Sequence, residues 1–220
     1  VIIAIDGPSG TGKSSVSRAV AEQLGAKYLD TGAMYRIATL HVLRGGIDPA
    51  DTAAVIERTA DLPLTISDDP ADTRVYLAGE DVSAEIRGPE VTGAVSAVSA
   101  IPEVRENLVA QQRRIARTAG DIVMEGRDIG TVVLVDAPTK VYLDARPEVR
   151  AERRHEQNLA AGKESDFDTV LADVVRRDKL DSSRAASPLR PADDATIIDT
   201  SDLTMDEVIT AVIEAYKEEK

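Results

Sequence analysis

The 220 residues contain no cysteine and no tryptophan. The first absence excludes disulfides and thiolate metal sites. The second, with one Phe and five Tyr, means that any core is built mainly from Ile, Val, Leu and Ala. Histidine is scarce too. His41 and His155 lie far apart with no ligand-like spacing, and both read as surface or packing residues. No apolar run approaches the ~18 residues that a membrane helix needs. No leader pattern is visible either, so the expectation is a cytoplasmic protein that makes no membrane contact. Positive charge is in deficit, with 26 Lys and Arg against 39 Asp and Glu and a formal net charge of −13. Such a balance argues against broad affinity for nucleic acid or anionic membranes. What is present, 43% hydrophobic and 30% charged residues, is the composition of a globular chain. Its length allows one core of ordinary size with small insertions.

The first fourteen residues, VIIAIDGPSGTGKS, are the most informative. Gly7, Gly12, Lys13 and Ser14 fit G-x-x-x-x-G-K-[ST], a phosphate-binding loop, between an apolar β-rich run and a helix-like segment. Glycines let the backbone curl so that successive N–H groups face phosphate oxygens. The following helix adds its unpaired N–H groups and the positive end of its dipole. The whole stretch, Gly7, Pro8, Ser9, Gly10, Thr11, Gly12, Lys13, Ser14 and Ser15, is the expected nucleoside-triphosphate site, which by itself fits a GTPase, an ATPase or a kinase. Lys13 is placed to bridge β- and γ-phosphates, and the Ser14 hydroxyl to face Mg2+.

Strands are expected at 1–5, 26–29, 121–124, 139–144 and 195–199. Helices are expected at 13–24, 33–44, 50–60, 89–99, 102–119, 147–161, 166–181 and 205–218, the last fraying toward 217–220. Alternating strands and helices predict an α/β fold, a five-stranded parallel sheet flanked by helices. One stretch breaks the rhythm. Segments 62–67, 73–78 and 79–82 read as short strands with no helix between them, so they should pair antiparallel as an insert over about 58–97.

Arginines are concentrated where an acidic chain has few to spare. Arg146, Arg150, Arg153 and Arg154 form one cluster, and Arg176, Arg177, Lys179, Arg184 and Arg190 a second. A polar glycine-containing hinge at 162–166 separates them, so 146–181 reads as a helical lid carrying phosphate-binding guanidiniums. Glu125, with Gly126, Arg127 and Asp128 behind it, follows the apolar strand at 122–124. A carboxylate at that place suits Mg2+, held directly or through water.

These residues together resemble the bacterial cytidylate kinase family, nucleoside monophosphate kinases of the P-loop class. The resemblance rests on IDGPSGTGKSS at 5–15, LDTGAMYR at 29–36, GEDVSAEIR at 79–87 and Val95-Ser96 leading to Arg105. It continues through EGRDIGTVV at 125–133, VYLDA at 141–145 and RRDKLDSSRAASPL at 176–189, and so covers essentially the whole chain, 1–220, as a single kinase unit. It implies that the insert is a nucleotide-monophosphate-binding subdomain. It also implies transfer of the γ-phosphoryl of ATP to CMP or dCMP with Mg2+. Carried over by position, Thr31 and Arg36 should hold the CMP phosphate, and Ser96 and Asp128 the cytosine edge, with Arg105 close by. Arg127 should approach the phosphates, and Arg177, Asp181 and Arg184 the acceptor's phosphate and sugar. Lys13, Arg127, Arg150, Arg153 and Arg154 are the expected catalytic cations. Many relatives have Asp where this chain has Glu125, and Ser where it has Thr31.

The alternative within enzymes is a P-loop kinase for another small acceptor such as UMP. A GTPase wants an N/T-K-x-D motif, and Thr139-Lys140 continues instead as Val-Tyr. A monomer is expected, since no large apolar stripe demands a partner.

Overall fold

The computed structural model describes residues 1–219. Its centre is a parallel sheet of β1 (Ile2–Asp6), β2 (Lys27–Asp30), β6 (Ile122–Gly126), β7 (Thr139–Asp144) and β8 (Thr196–Asp199), in the order β2-β6-β1-β7-β8. β1 pairs with β6 and β7 on its two sides, with Ile3 opposite Val123 and Thr139. A strand buried on both faces needs apolar residues of both parities, which Ile3, Ala4 and Ile5 supply. Ile3 and Ile5 pack with α1 (Lys13–Leu24) and α8 (Met205–Glu218) through Val16, Val20, Val208 and Val212. Ala4 and Met124 face the other way, toward α2 (Thr31–Arg44), α4 (Pro89–Ser99) and α5 (Pro102–Ala119). α3 (Thr52–Thr59) covers the same side through Val55.

A second, antiparallel sheet comprises β3 (Leu64–Ile66), β4 (Val75–Leu77) and β5 (Glu80–Asp81). The two-residue turn between β4 and β5 places both Ala78 and Gly79 at positive φ, 50° and 82°. That is the turn geometry that matches strand twist in a tight hairpin. The buried face of this sheet, Val75 and Leu77 with Val82, packs on Ala33, Ile37 and Leu40 of α2. α6 (Pro147–Ala160) and α7 (Phe167–Ser183) form a helical hairpin around a thin cluster of Ala151, Val170 and Val174.

Element positions match the sequence expectation closely, and the shifts have local causes. α2 begins at Thr31 rather than 33 because the Asp30 side chain accepts from Ala33 N at 3.1 Å and caps the helix. α3 is shorter than 50–60 because Asp51 caps it in the same way. α8 reaches Glu218, and Lys220 of the expected frayed end lies outside the described residues. Two features had no sequence signal. One is a single 3-10 turn at Glu85–Arg87, and the other is one turn of π-helix at Ile129–Val133. The latter exists because the Asp6 carboxylate accepts from both Ile129 N and Gly130 N at 2.8 Å. No described helix is long and apolar enough to cross a membrane.

Candidate active site

The loop between β1 and α1 is tightly enclosed. A Cβ on Gly7 would lie 2.1 Å from Leu143 O, and one on Gly10 would lie 2.8 Å from Arg150 Cβ. Both residues have positive φ, so glycine is required on two counts. Gly12 caps α1 without any side-chain bond, which leaves the first-turn N–H groups free to face an anion. Lys13 Nζ donates to Gly7 O at 2.9 Å. Burial, and then the neighbouring Arg127, push its ammonium down to about 8. A polyanion in the loop would offset both effects by direct attraction to the ammonium.

Glu125 stands at the carboxyl end of β6, where the sheet opens. It is 2% exposed. Ser14 Oγ donates to its Oε1 at 2.7 Å, and Tyr28 OH to its Oε2 at 2.9 Å. Burial, reinforced by Asp30, pushes its carboxyl up to about 7. A carboxylate so enclosed, beside a hydroxyl and the phosphate loop, suits a hard cation that completes its shell with substrate phosphates and water. Among the described residues no three His, Asp or Glu side chains gather into a self-sufficient cage. The donor set therefore fits Mg2+ carried in with a nucleotide.

Beyond Glu125 the cleft turns cationic. It has a volume of about 280 Å³ and is lined by Arg36, Arg87, Arg105, Arg127, Arg154, Arg177 and Arg184. Asp181 is the hub of this group. It lies 2.7 Å from Arg127 Nε, 3.1 Å from Arg177 Nε and 3.5 Å from Arg184 Nη1. Burial alone would raise its carboxyl, but the three guanidiniums outweigh burial and hold it below the usual range. One carboxylate cannot neutralise them all. Arg36 is pushed down to about 9 by burial and then by Arg87, Arg177, Arg127 and Arg154. Arg177 and Arg184 are pushed down to about 10, by burial first and then by Arg127 and Arg105 respectively. Guanidiniums stay charged in proteins, so these displacements record first the burial of the cations and then their crowding. Arg36 is meanwhile held by Ile86 O and Thr92 Oγ1, each at 3.0 Å.

The floor of the cleft is a buried pair. Arg105 Nη2 donates to Asp128 Oδ2 at 2.6 Å and Nη1 to Ser99 O at 2.8 Å. The Arg105 guanidinium lies over the Tyr35 ring, 4.7 Å from its centroid. The π-helical turn pinned by Asp6 fixes the backbone directly after Asp128.

Of the expected residues, Ser9, Gly10, Gly12, Lys13, Ser14, Ser15, Thr31, Arg36, Arg105, Glu125, Arg127, Asp128, Arg154, Arg177 and Arg184 line this one cleft. Gly7, Pro8 and Thr11 shape the loop from behind, with Thr11 Oγ1 donating to Pro8 O. Asp181 sits behind the arginines that it holds. Three residues are placed differently from the expectation. Arg150 is 3% exposed and faces away from the cleft. It forks onto Asp178 at 2.9 and 2.6 Å and donates to Ala145 O and Ser9 O. Arg153 donates to Thr200 Oγ1, Thr200 O and Gly10 O. Both are riveted to neighbouring chain segments, so only Arg154 of the three presents its charge to the cleft. Ser96 is half-buried one turn before Ser99, whose hydroxyl donates to Ser96 O, and Ser99 lines the cleft instead. Asp30, Tyr35, Arg87 and Gln157 also line the cleft, beyond the residues expected from the sequence. The first three lie inside the quoted motifs at 29–36 and 79–87, which was the available signal.

Comparison with known proteins follows the same line. The family model described as cytidylate kinase matches residues 3–218. The chain is 71% identical to the cytidylate kinase of Corynebacterium glutamicum, across 97% of this chain and 93% of that one. It is 66% identical to that of Rhodococcus opacus (95% and 91% covered) and 58% identical to that of Mycobacterium leprae (99% and 96% covered). Among solved structures, an uncharacterized protein from Eubacterium ventriosum superposes with a TM-score of 0.52 at 14% identity, covering 99% of this chain and 98% of that one. That likeness concerns the fold alone.

Proposed function

This chain belongs to the cytidylate kinase family, and from that premise we propose that the cleft moves the γ-phosphoryl group of ATP to CMP or dCMP, giving CDP or dCDP. The observation that carries the reading is the pairing of two anion sites in one cleft. A backbone-built loop suits a triphosphate. Across from it, arginines crowded around Asp181 suit a second phosphate group.

In this reading Lys13 leaves Gly7 O and binds the β- and γ-phosphates, which restores its ordinary basicity. Ser14 and Glu125 would hold Mg2+, directly or through water, and the ion supplies further neutralisation of the triphosphate. Arg36, Arg127, Arg177 and Arg184 draw in the acceptor phosphate, whose dianion relieves their mutual repulsion. Thr31 lies beside that phosphate, and Asp181 exchanges one arginine for a ribose hydroxyl. Asp128 keeps Oδ1 free while Arg105 holds Oδ2, so Oδ1 can accept from the cytosine amino group. Ser99, which lines the cleft where Ser96 does not, offers a further contact on the same edge. No general base is needed, because the attacking phosphate oxygen is already ionised. Alignment and charge neutralisation supply the catalysis. The insert at 58–97 and the hairpin at 146–181 would close over the two substrates and exclude water, with Arg154 carried in by the hairpin. Arg150 and Arg153 would act by holding the loop and the hairpin in place. The proposed working unit is a monomer in the cytoplasm.

A coupled assay with CMP, dCMP, UMP and AMP tests the reading. Preference for the two cytosine nucleotides is expected. Equal rates on all four would overturn the assignment of Asp128 to cytosine, and preference for UMP would favour a kinase for a different pyrimidine.

A further inference from the structure

Glu125 carries one more rotatable bond than an aspartate at the same place, so something must fix where its carboxylate points. In the sheet, Asp30 is the register partner of Glu125, and Tyr28 that of Val123. Alternate residues share a face, so Tyr28 lies diagonally across from Glu125, within reach for a long side chain. Its hydroxyl donates to Glu125 Oε2 at 2.9 Å, while Ser14 Oγ donates to Oε1 at 2.7 Å from the opposite element. The Tyr28 ring is itself immobilised. It is 3% exposed and packed with Val123 in the core, and the Arg18 guanidinium caps it 4.9 Å from the ring centroid. A second cleft, of about 330 Å³, adjoins the first: the two share Ser14, Asp30 and Arg87, and Arg18 and Arg74 also line the second. Tyr28 lines that cleft and not the first, whereas Glu125 lines the first and not the second.

We propose that Tyr28 is a positioning residue for cation binding: its hydroxyl locks Glu125 Oε2 and leaves Oε1 facing Ser14 and the phosphate loop. This rests on the reading of Glu125 as the carboxylate that meets the nucleotide's Mg2+. Partners that orient a metal-binding carboxylate typically alter metal affinity by roughly 10–100-fold when removed.

The test measures Mn2+ affinity by electron paramagnetic resonance, on the full chain with a non-hydrolysable ATP analogue. Four proteins are compared: the parent, Tyr28→Phe, Glu125→Gln and the double variant. Tyr28→Phe is expected to weaken Mn2+ about tenfold and to leave metal-free affinity for the analogue unchanged. In the Glu125→Gln background the same change should have no further effect. If Glu125→Gln weakens Mn2+ and Tyr28→Phe does not, the positioning role is overturned and the metal reading survives. If Tyr28→Phe costs the same in both backgrounds, its effect bypasses Glu125 and the role is likewise overturned. If Glu125→Gln leaves Mn2+ affinity unchanged, the metal reading itself falls, and the inference with it.

Discussion

The two halves of the cleft hold charge by different means. The loop half is made of backbone from one continuous stretch, 7–15, plus a single lysine. Its N–H dipoles do not repel one another strongly, and Lys13 rests on a carbonyl of the same loop. The arginine half is made of side chains from α2, the 3-10 turn, α5, the end of β6, α6 and α7. Formal charges are crowded there against few carboxylates: Asp30 holds Arg87, Asp128 holds Arg105, and one buried counter-ion, Asp181, holds Arg127, Arg177 and Arg184 together. A backbone site can be complete before its ligand arrives. A side-chain site of like charges is strained until an anion enters, and it depends on its counter-ion in the meantime.

Removing that counter-ion should therefore have the largest effect. Asp181→Asn is expected to lose about 3–5 kcal/mol of stability, the usual cost of breaking a buried ion pair. CMP or inorganic phosphate should restore part of the loss in thermal melts. Unchanged melting would mean that the arginine half is not strained. On the other side, Lys13→Ala should raise the barrier for transfer by about 3–4 kcal/mol without lowering the melting temperature, since it removes a cation already disfavoured by burial. Near-normal single-turnover rates in a folded variant would sink the assignment of Lys13.

A third pair of variants separates riveting from chemistry. Arg150→Gln removes the fork onto Asp178 and should cost about 1.5–3 kcal/mol of stability, with turnover falling in parallel. Arg154→Gln should lower turnover and leave stability nearly intact. If the two variants behaved alike, the distinction drawn from the geometry would collapse.

A pH series completes the comparison. The Glu125 carboxyl is raised from 4.5 to about 7 in the folded chain. Between those values the unfolded chain has released this proton and the folded chain still holds it. Stability contributed by Glu125 is thus present below about 4.5 and lost as the pH rises through about 7. The difference in unfolding free energy between the parent and Glu125→Gln should decline across that window and level off outside it. A difference that grew with pH would show that Glu125 is ionised and paired in the empty cleft.

How much could be read in advance follows the same division. The loop was legible because its chemistry is local: glycine spacing and a lysine–serine pair at the start of a helix do not depend on distant residues. The elements were legible from hydrophobic period and from caps such as Gly25 and Pro102. Arg150, Arg153 and Arg154 could not be told apart, because helical spacing places all three within about one turn. Their fates were decided by Asp178 on α7 and Thr200 after β8. The Tyr28–Glu125 bond spans 97 positions, and Ser14–Glu125 spans 111. No local pattern encodes either.

By itself the sequence determined the alternating α/β architecture, the phosphate loop and an arginine supply out of keeping with the net charge. These depend on near-neighbour spacing and on residue type. Tertiary structure alone decided which arginines face the cleft, which are held elsewhere, and which hydroxyls orient Glu125. A charged side chain acts where its counter-ions leave it free, and those counter-ions are set by contacts between elements far apart along the chain.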